Sequence, residues 1–133
     1  MKNTVLLVDD DSTFNFLAET ILKSSGFDGN IKICLNGKEA INFLQETDKT
    51  GTDYPSLILL DINMPIMNGF EFLDLYNNSE LKIKHKTTIA VVTSSSDIKD
   101  KHKATEMGIE HFLNKPLAIK DIKTLIEDLK FSC

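Results

Sequence analysis

No arginine occurs anywhere in this 133-residue chain; its fifteen basic residues are all lysine. Arginine is the side chain that grips phosphates and guanine edges bidentately. Its absence comes with 20 acidic residues and a formal net charge of −5, so direct nucleic-acid binding is not expected. Tryptophan is also missing, and the two cysteines, Cys34 and Cys133, have no metal-ligand spacing. Cys34 reads as a small buried residue and Cys133 as a loose thiol, which suits a reducing cytoplasm. Apolar stretches are a handful of residues long, far short of the roughly 20 that cross a bilayer. The opening residues lack the long apolar core of a secretory signal. With 41% apolar and 26% charged residues, bulk disorder, collagen-like repeats and coiled-coil fibres do not fit. The length predicts one domain, 1–133, with no separate output domain.

What is present is an alternation. Five β-type runs, at 4–8, 31–35, 56–60, 88–92 and 111–114, are interleaved with five helical patterns. That rhythm predicts a parallel sheet covered by helices on both faces. Val5-Leu6-Leu7-Val8, Leu57-Ile58-Leu59-Leu60 and Ile89-Ala90-Val91-Val92 are solidly apolar, as doubly covered strands should be. The second run alternates, with Ile31, Ile33 and Leu35 against Lys32 and Cys34, and the fifth is short and mixed. Runs two and five are therefore expected at the edges. The order 2-1-3-4-5, the flavodoxin-like doubly wound α/β arrangement, satisfies this.

Helix one is read with Ser12 as its cap, Phe14, Leu17, Ala18, Ile21 and Leu22 as its apolar stripe, and Gly26 as its stop. Asn36-Gly37 opens helix two, with Ala40, Ile41 and Leu44 inward; Gly69 opens helix three, with Phe72, Leu73 and Tyr76 inward. Ile119, Ile122, Leu125, Ile126 and Leu129 form the stripe of helix five. Helix four, about 97–107, offers only Ile98, Ala104 and Met107 for burial. The stretches 46–53 and 77–86 read as polar connectors.

Ligands of open parallel sheets bind beyond the C-terminal strand ends, next to the switch in strand order. Run one ends in Asp9-Asp10-Asp11, run three in Asp61, run four in Thr93-Ser94 and run five in Lys115. Close-packed carboxylates repel and raise one another's pKa values. A hard divalent cation removes that conflict, and Mg²⁺ commonly takes one or two carboxylates, waters and phosphate oxygens. Lys115 and the Thr93 hydroxyl could hold a phosphoryl group there, with one carboxylate as nucleophile.

Four pieces together, Val5-Leu6-Leu7-Val8-Asp9-Asp10, the stretch from Leu60-Asp61 through Asn63-Met64-Pro65 to Asn68-Gly69, Val91-Val92-Thr93-Ser94 and Phe112-Leu113-Asn114-Lys115-Pro116, resemble the receiver domain of two-component response regulators. The resemblance covers essentially the whole chain and is closest to stand-alone, chemotaxis-regulator-like receivers. It implies Asp61 as phosphoacceptor. It implies a Mg²⁺ site (Mn²⁺ is possible) formed by Asp10, Asp61 and the main-chain oxygen of Asn63, with Asp9 acting through water. Thr93 would be the switch hydroxyl, Ser94 the small residue giving access, Lys115 the phosphoryl contact and Phe112 the switch aromatic. Asn63 and Ser95 occupy the positions that tune autodephosphorylation, and Lys115-Pro116 should be cis. Asn15, Phe16 and Glu19 on helix one are the expected docking face for a histidine kinase or histidine phosphotransfer protein. The face made by helix four, strand five and helix five would carry the output to a downstream protein or a phosphorylation-dependent homodimer.

A phosphohydrolase of the haloacid dehalogenase type is the main rival, since Asp9-Asp10-Asp11-Ser12-Thr13 fits its Asp-x-Asp-x-Thr signature. Asp9 would then be the nucleophile and Asp11 the general acid. That reading lacks a second acidic pair beyond Lys115 and leaves Asp61 unexplained. A flavin carrier would need a hydroxyl-rich phosphate loop where this chain has three aspartates.

Overall fold

The computed structural model describes residues 3–94 and 98–129. Five parallel strands form one sheet: β1 (Thr4–Val8), β2 (Asn30–Cys34), β3 (Leu57–Asp61), β4 (Thr88–Ser94) and β5 (His111–Lys115), in the order β2-β1-β3-β4-β5. Between them run α1 (Ser12–Ser24), α2 (Gly37–Thr50), α3 (Gly69–Asn77) and α4 (Ile98–Glu106), and α5 (Ile119–Leu129) follows β5. The flavodoxin-like order expected from the apolar runs is the order observed.

Each strand's alternation splits the core in two. Leu6, Val8, Ile58, Leu60 and Val91 pack with Ala40, Leu44, Phe72, Leu73 and Ala104, so α2, α3 and α4 cover one face. Val5, Leu7, Leu59, Ala90 and Leu113 pack with Phe14, Ala18, Leu22, Ile122 and Leu125, so α1 and α5 cover the other. Burial on both sides is why β1 from Val5 to Val8 and β3 from Leu57 to Leu60 are apolar at every position.

Local details differ from the sequence reading in four places. Asp11, not Ser12, caps α1, because its Oδ1 accepts from the amides of Thr13 and Phe14. Leu17 and Ile119 lie at the rims of their helices and are exposed. On edge strand β2 it is Cys34 that is buried, while Ile33, and Leu35 just after the strand, are exposed. The stretch 46–53 is not a loop at its start. α2 continues to Thr50, where Gly51 closes it at φ +70°. The extra turn has a tertiary purpose: Asp48 Oδ1 accepts from the amides of Lys82 and Ile83 and caps a single 3₁₀ turn, Lys82–His85, inside the second connector.

Candidate functional site

The four central and near-central strand ends converge on one cleft of about 280 Å³, lined by Asp9, Asp10, Asp11, Asp61, Asn63, Thr93, Ser94 and Lys115, among others. Carboxylate oxygens of Asp9, Asp10 and Asp61 come within 4.8 Å of one another. Lys115 Nζ donates to Asp9 Oδ2 at 2.9 Å and lies 3.5 Å from Asp61 Oδ1. The Asp9–Lys115 contact joins residues 106 apart in sequence.

The carboxylates are not equivalent. Asp9 is only 1% exposed, and both its oxygens are engaged, Oδ2 by Lys115 and Oδ1 by the Asp11 amide at 2.9 Å. Asp10 is exposed at the rim. Asp61 is buried, and its pKa is pushed up to about 6, by desolvation first and the Asp9 charge second; Lys115 and the Ile62 amide oppose the rise. Burial pulls Lys115 down, but its hydrogen bond to Asp9 and the charges of Asp61 and Asp9 outweigh that and hold it above the ordinary lysine value. Thr93 is buried at the end of β4, and its hydroxyl donates to the Ser94 carbonyl at 3.1 Å.

The backbone around these groups is tightly built. The loop from Ile62 to Asn68 folds back so that the Gly69 amide donates to the Ile62 carbonyl at 2.9 Å. A Cβ at Gly69 would meet the Asp61 carbonyl oxygen at 2.6 Å, so only glycine fits there. The Gly37 amide donates to the Met67 carbonyl, tying the same loop to the start of α2. Ile66, in its middle, holds φ +67°, an uncommon state for a β-branched residue. α3 then starts with a full capping box between Asn68 and Glu71. The Lys115–Pro116 peptide is cis.

Not every expected residue sits where the sequence reading puts it. Asn15 is 3% exposed and so cannot share an exposed docking face. Its Nδ2 donates to the Asp9 main-chain oxygen at 2.9 Å. It is a support of the site, and the signal for that is its spacing with Ala18 and Leu22 at i+3 and i+7. Phe16, by contrast, is 73% exposed, and the Glu19 carboxylate pairs with Lys23 at 3.1 Å. Phe112 is half-buried on β5 with Lys101 Nζ 5.2 Å from its ring centroid. Ser95 lies outside the described residues. The hydrolase reading loses ground, because Asp11, its general acid, is committed to capping α1.

Residues 5–127 match the family model of the response regulator receiver domain. Response regulator Rcp1 of Synechocystis is 30% identical over 128 residues, covering 95% of this chain and 85% of that protein. The probable methanogenesis regulatory protein FilR2 of Methanothrix harundinacea is 30% identical over 126 residues, covering 95% and 80%. Among solved structures, a two-component response regulator from Cytophaga hutchinsonii superposes with a TM-score of 0.86 at 34% identity, covering 98% of both chains. The match to the family model, supported by this fold and by carboxylates, hydroxyl and lysine gathered at one sheet rim, makes the chain a member of the response regulator receiver family.

Proposed function

We infer that this receiver takes a phosphoryl group onto Asp61 from a histidine kinase or a histidine phosphotransfer protein and answers with a change of surface. The observation that carries the reading is the gathering of Asp61, two further carboxylates and Lys115 in one cleft. Three carboxylates within 4.8 Å form a hard oxygen donor set that fits Mg²⁺, or Mn²⁺ in its place. Asp10, Asp61 and the main-chain oxygen of Asn63 would hold the cation directly. Asp9, whose oxygens already accept two hydrogen bonds, would reach it through water. When bound, the cation neutralises charge on the phosphoryl oxygens.

In the transfer step an Asp61 oxygen bonds to phosphorus as the phosphorus–nitrogen bond of the donor's phosphohistidine breaks. The electron pair leaves with the imidazole nitrogen. Lys115 stabilises the phosphoryl oxygens as a point charge, and Thr93 turns its hydroxyl from the Ser94 carbonyl toward them. Ser94, small beside the pocket, leaves room for the incoming group. Attack of water on phosphorus later restores the carboxylate and releases inorganic phosphate, at a rate tuned by Asn63 and Ser95. Exposed Phe16, with Glu19 on the same helix, supports α1 as the docking face for the donor. Phe112 of β5 is half-buried against the core and lies under Lys101 of α4, which supports the surface of α4, β5 and α5 as the output face toward a partner protein or a second copy. The setting is the cytoplasm, where the Cys34 thiol stays reduced.

The test is intact mass after incubation with acetyl phosphate and Mg²⁺. One hydroxylamine-labile phosphoryl group is expected on the wild type and on Asp9→Asn, more slowly on the latter, and none on Asp61→Asn. An adduct that survives in Asp61→Asn but not in Asp9→Asn would overturn the assignment.

A further inference from the structure

Lys115 has a third neighbour in the cleft besides its two carboxylates. Its ammonium lies over the face of the Phe14 ring, 4.5 Å from the centroid. Phe14 stands in the first turn of α1, 8% exposed, and belongs to the core cluster that includes Leu113 and Leu117 on either side of Lys115 in sequence. The ring is thus fixed by packing, while the lysine stem is long and has many rotamers. Asp9 and Asp61 pull the ammonium toward them but leave its height above the pocket floor open. The ring face carries the negative side of the aromatic quadrupole and attracts a cation that approaches along its normal. It also occupies the side from which water would otherwise hydrate the ammonium.

We propose that Phe14 is a positioning residue for Lys115: its ring face sets where the ammonium rests between Asp9 and Asp61, so that a phosphoryl group arriving on Asp61 meets the charge already in place. The proposal rests on the reading of Asp61 as phosphoacceptor. Core burial alone would be served by any apolar side chain of similar size, whereas a cation needs the aromatic face. Five other lysines lie over rings among the described residues; Lys115 combines its ring with hydrogen-bond or ion-pair contact to Asp9 and Asp61.

Two measurements on the full chain test this. In the first, the rate of phosphorylation by acetyl phosphate with Mg²⁺ is followed for Phe14→Leu, Phe14→Tyr, Lys115→Ala and the double variant Phe14→Leu/Lys115→Ala. The expected loss is about 5-fold for Phe14→Leu in the wild-type background, with Phe14→Tyr near wild type and no further loss on Lys115→Ala. In the second, the Lys115 ammonium is observed by ¹H–¹⁵N correlation in metal-free protein. Wild type and Phe14→Tyr should show it as a slowly exchanging signal, and Phe14→Leu should lose it to exchange with water. Equal losses in both Lys115 backgrounds, or an ammonium signal that survives Phe14→Leu, would overturn the proposal. A wild type that takes no phosphoryl group would remove the reading of Asp61, and the ammonium signal would still decide where Phe14 holds Lys115.

Discussion

Asp61 ends a strand whose residues are all buried, and that burial favours its neutral form. Its folded pKa of about 6 stands above the ordinary 3.8. The stabilisation belonging to the protonated form is therefore complete below about pH 3.8 and is lost as pH rises through about 6. An asparagine escapes that loss. Without metal, Asp61→Asn should raise the melting temperature at pH 7.5 by several degrees, an effect of order 2 kcal/mol. The gain should vanish near pH 4; calorimetry across pH checks it. Ile66 offers a second case. Its side chain is 78% exposed while its φ of +67° is costly for a branched residue. Ile66→Gly should stabilise the fold by about 1 kcal/mol in urea titration, because it relieves backbone strain and gives up little burial. At this scale the sequence was readable wherever a residue's type alone dictates its place, as at Asp9, Asp61 and Lys115. It was not readable where two adjacent residues could do the same job, as with Asp11 and Ser12 at the α1 cap. Nor was it readable where a polar residue serves the interior, as Asn15 does.

α4 is the weakly held element. Ala104 is its one fully buried side chain among those described. Lysines on either side of the helix reach over aromatic rings, Lys101 over Phe112 at 5.2 Å and Lys103 over Phe70 at 4.3 Å. Exposed contacts of that kind contribute about 0.5–1 kcal/mol each, less than a single buried leucine. Amides of α4 should exchange with solvent at least about 100-fold faster than those of β3 and β4, measured by native-state hydrogen exchange. Uniform protection across these elements would show that α4 is anchored in some other way. The sparse apolar pattern of this helix was visible in its sequence, as were the apolar runs that place β1, β3 and β4 at the centre. The C-terminal turn of α2 was not, because Thr47 and Asp48 look like loop residues until the partner of Asp48, 34 residues further along, is known. The face of β2 was ambiguous for a related reason: an edge strand is covered on one side by what lies next to it, and Cys34 rather than Ile33 received the cover.

Over the whole molecule, stability and ligand binding meet at the same rim. Any cation held by Asp10 and Asp61 must displace the proton that Asp61 favours below about pH 6. Mg²⁺ at 100 times its dissociation constant should stabilise the fold by about 2.7 kcal/mol. The shift in melting temperature should be clear at pH 7.5 and much reduced at pH 5. A shift independent of pH would mean that the cation binds away from Asp61. The pocket also has a history built into it. Its carboxylates come from the first and third strands and its lysine from the fifth, and one ion pair closes across 106 residues. No hairpin or half-sheet fragment contains these groups together, so a chain still emerging from the ribosome, or one clipped within α4, holds Asp9 and Asp61 without the lysine that pairs with both. The complete pocket is assembled in one step, when the last strand joins the sheet, and on the proposed reading incomplete copies would draw little from the donor.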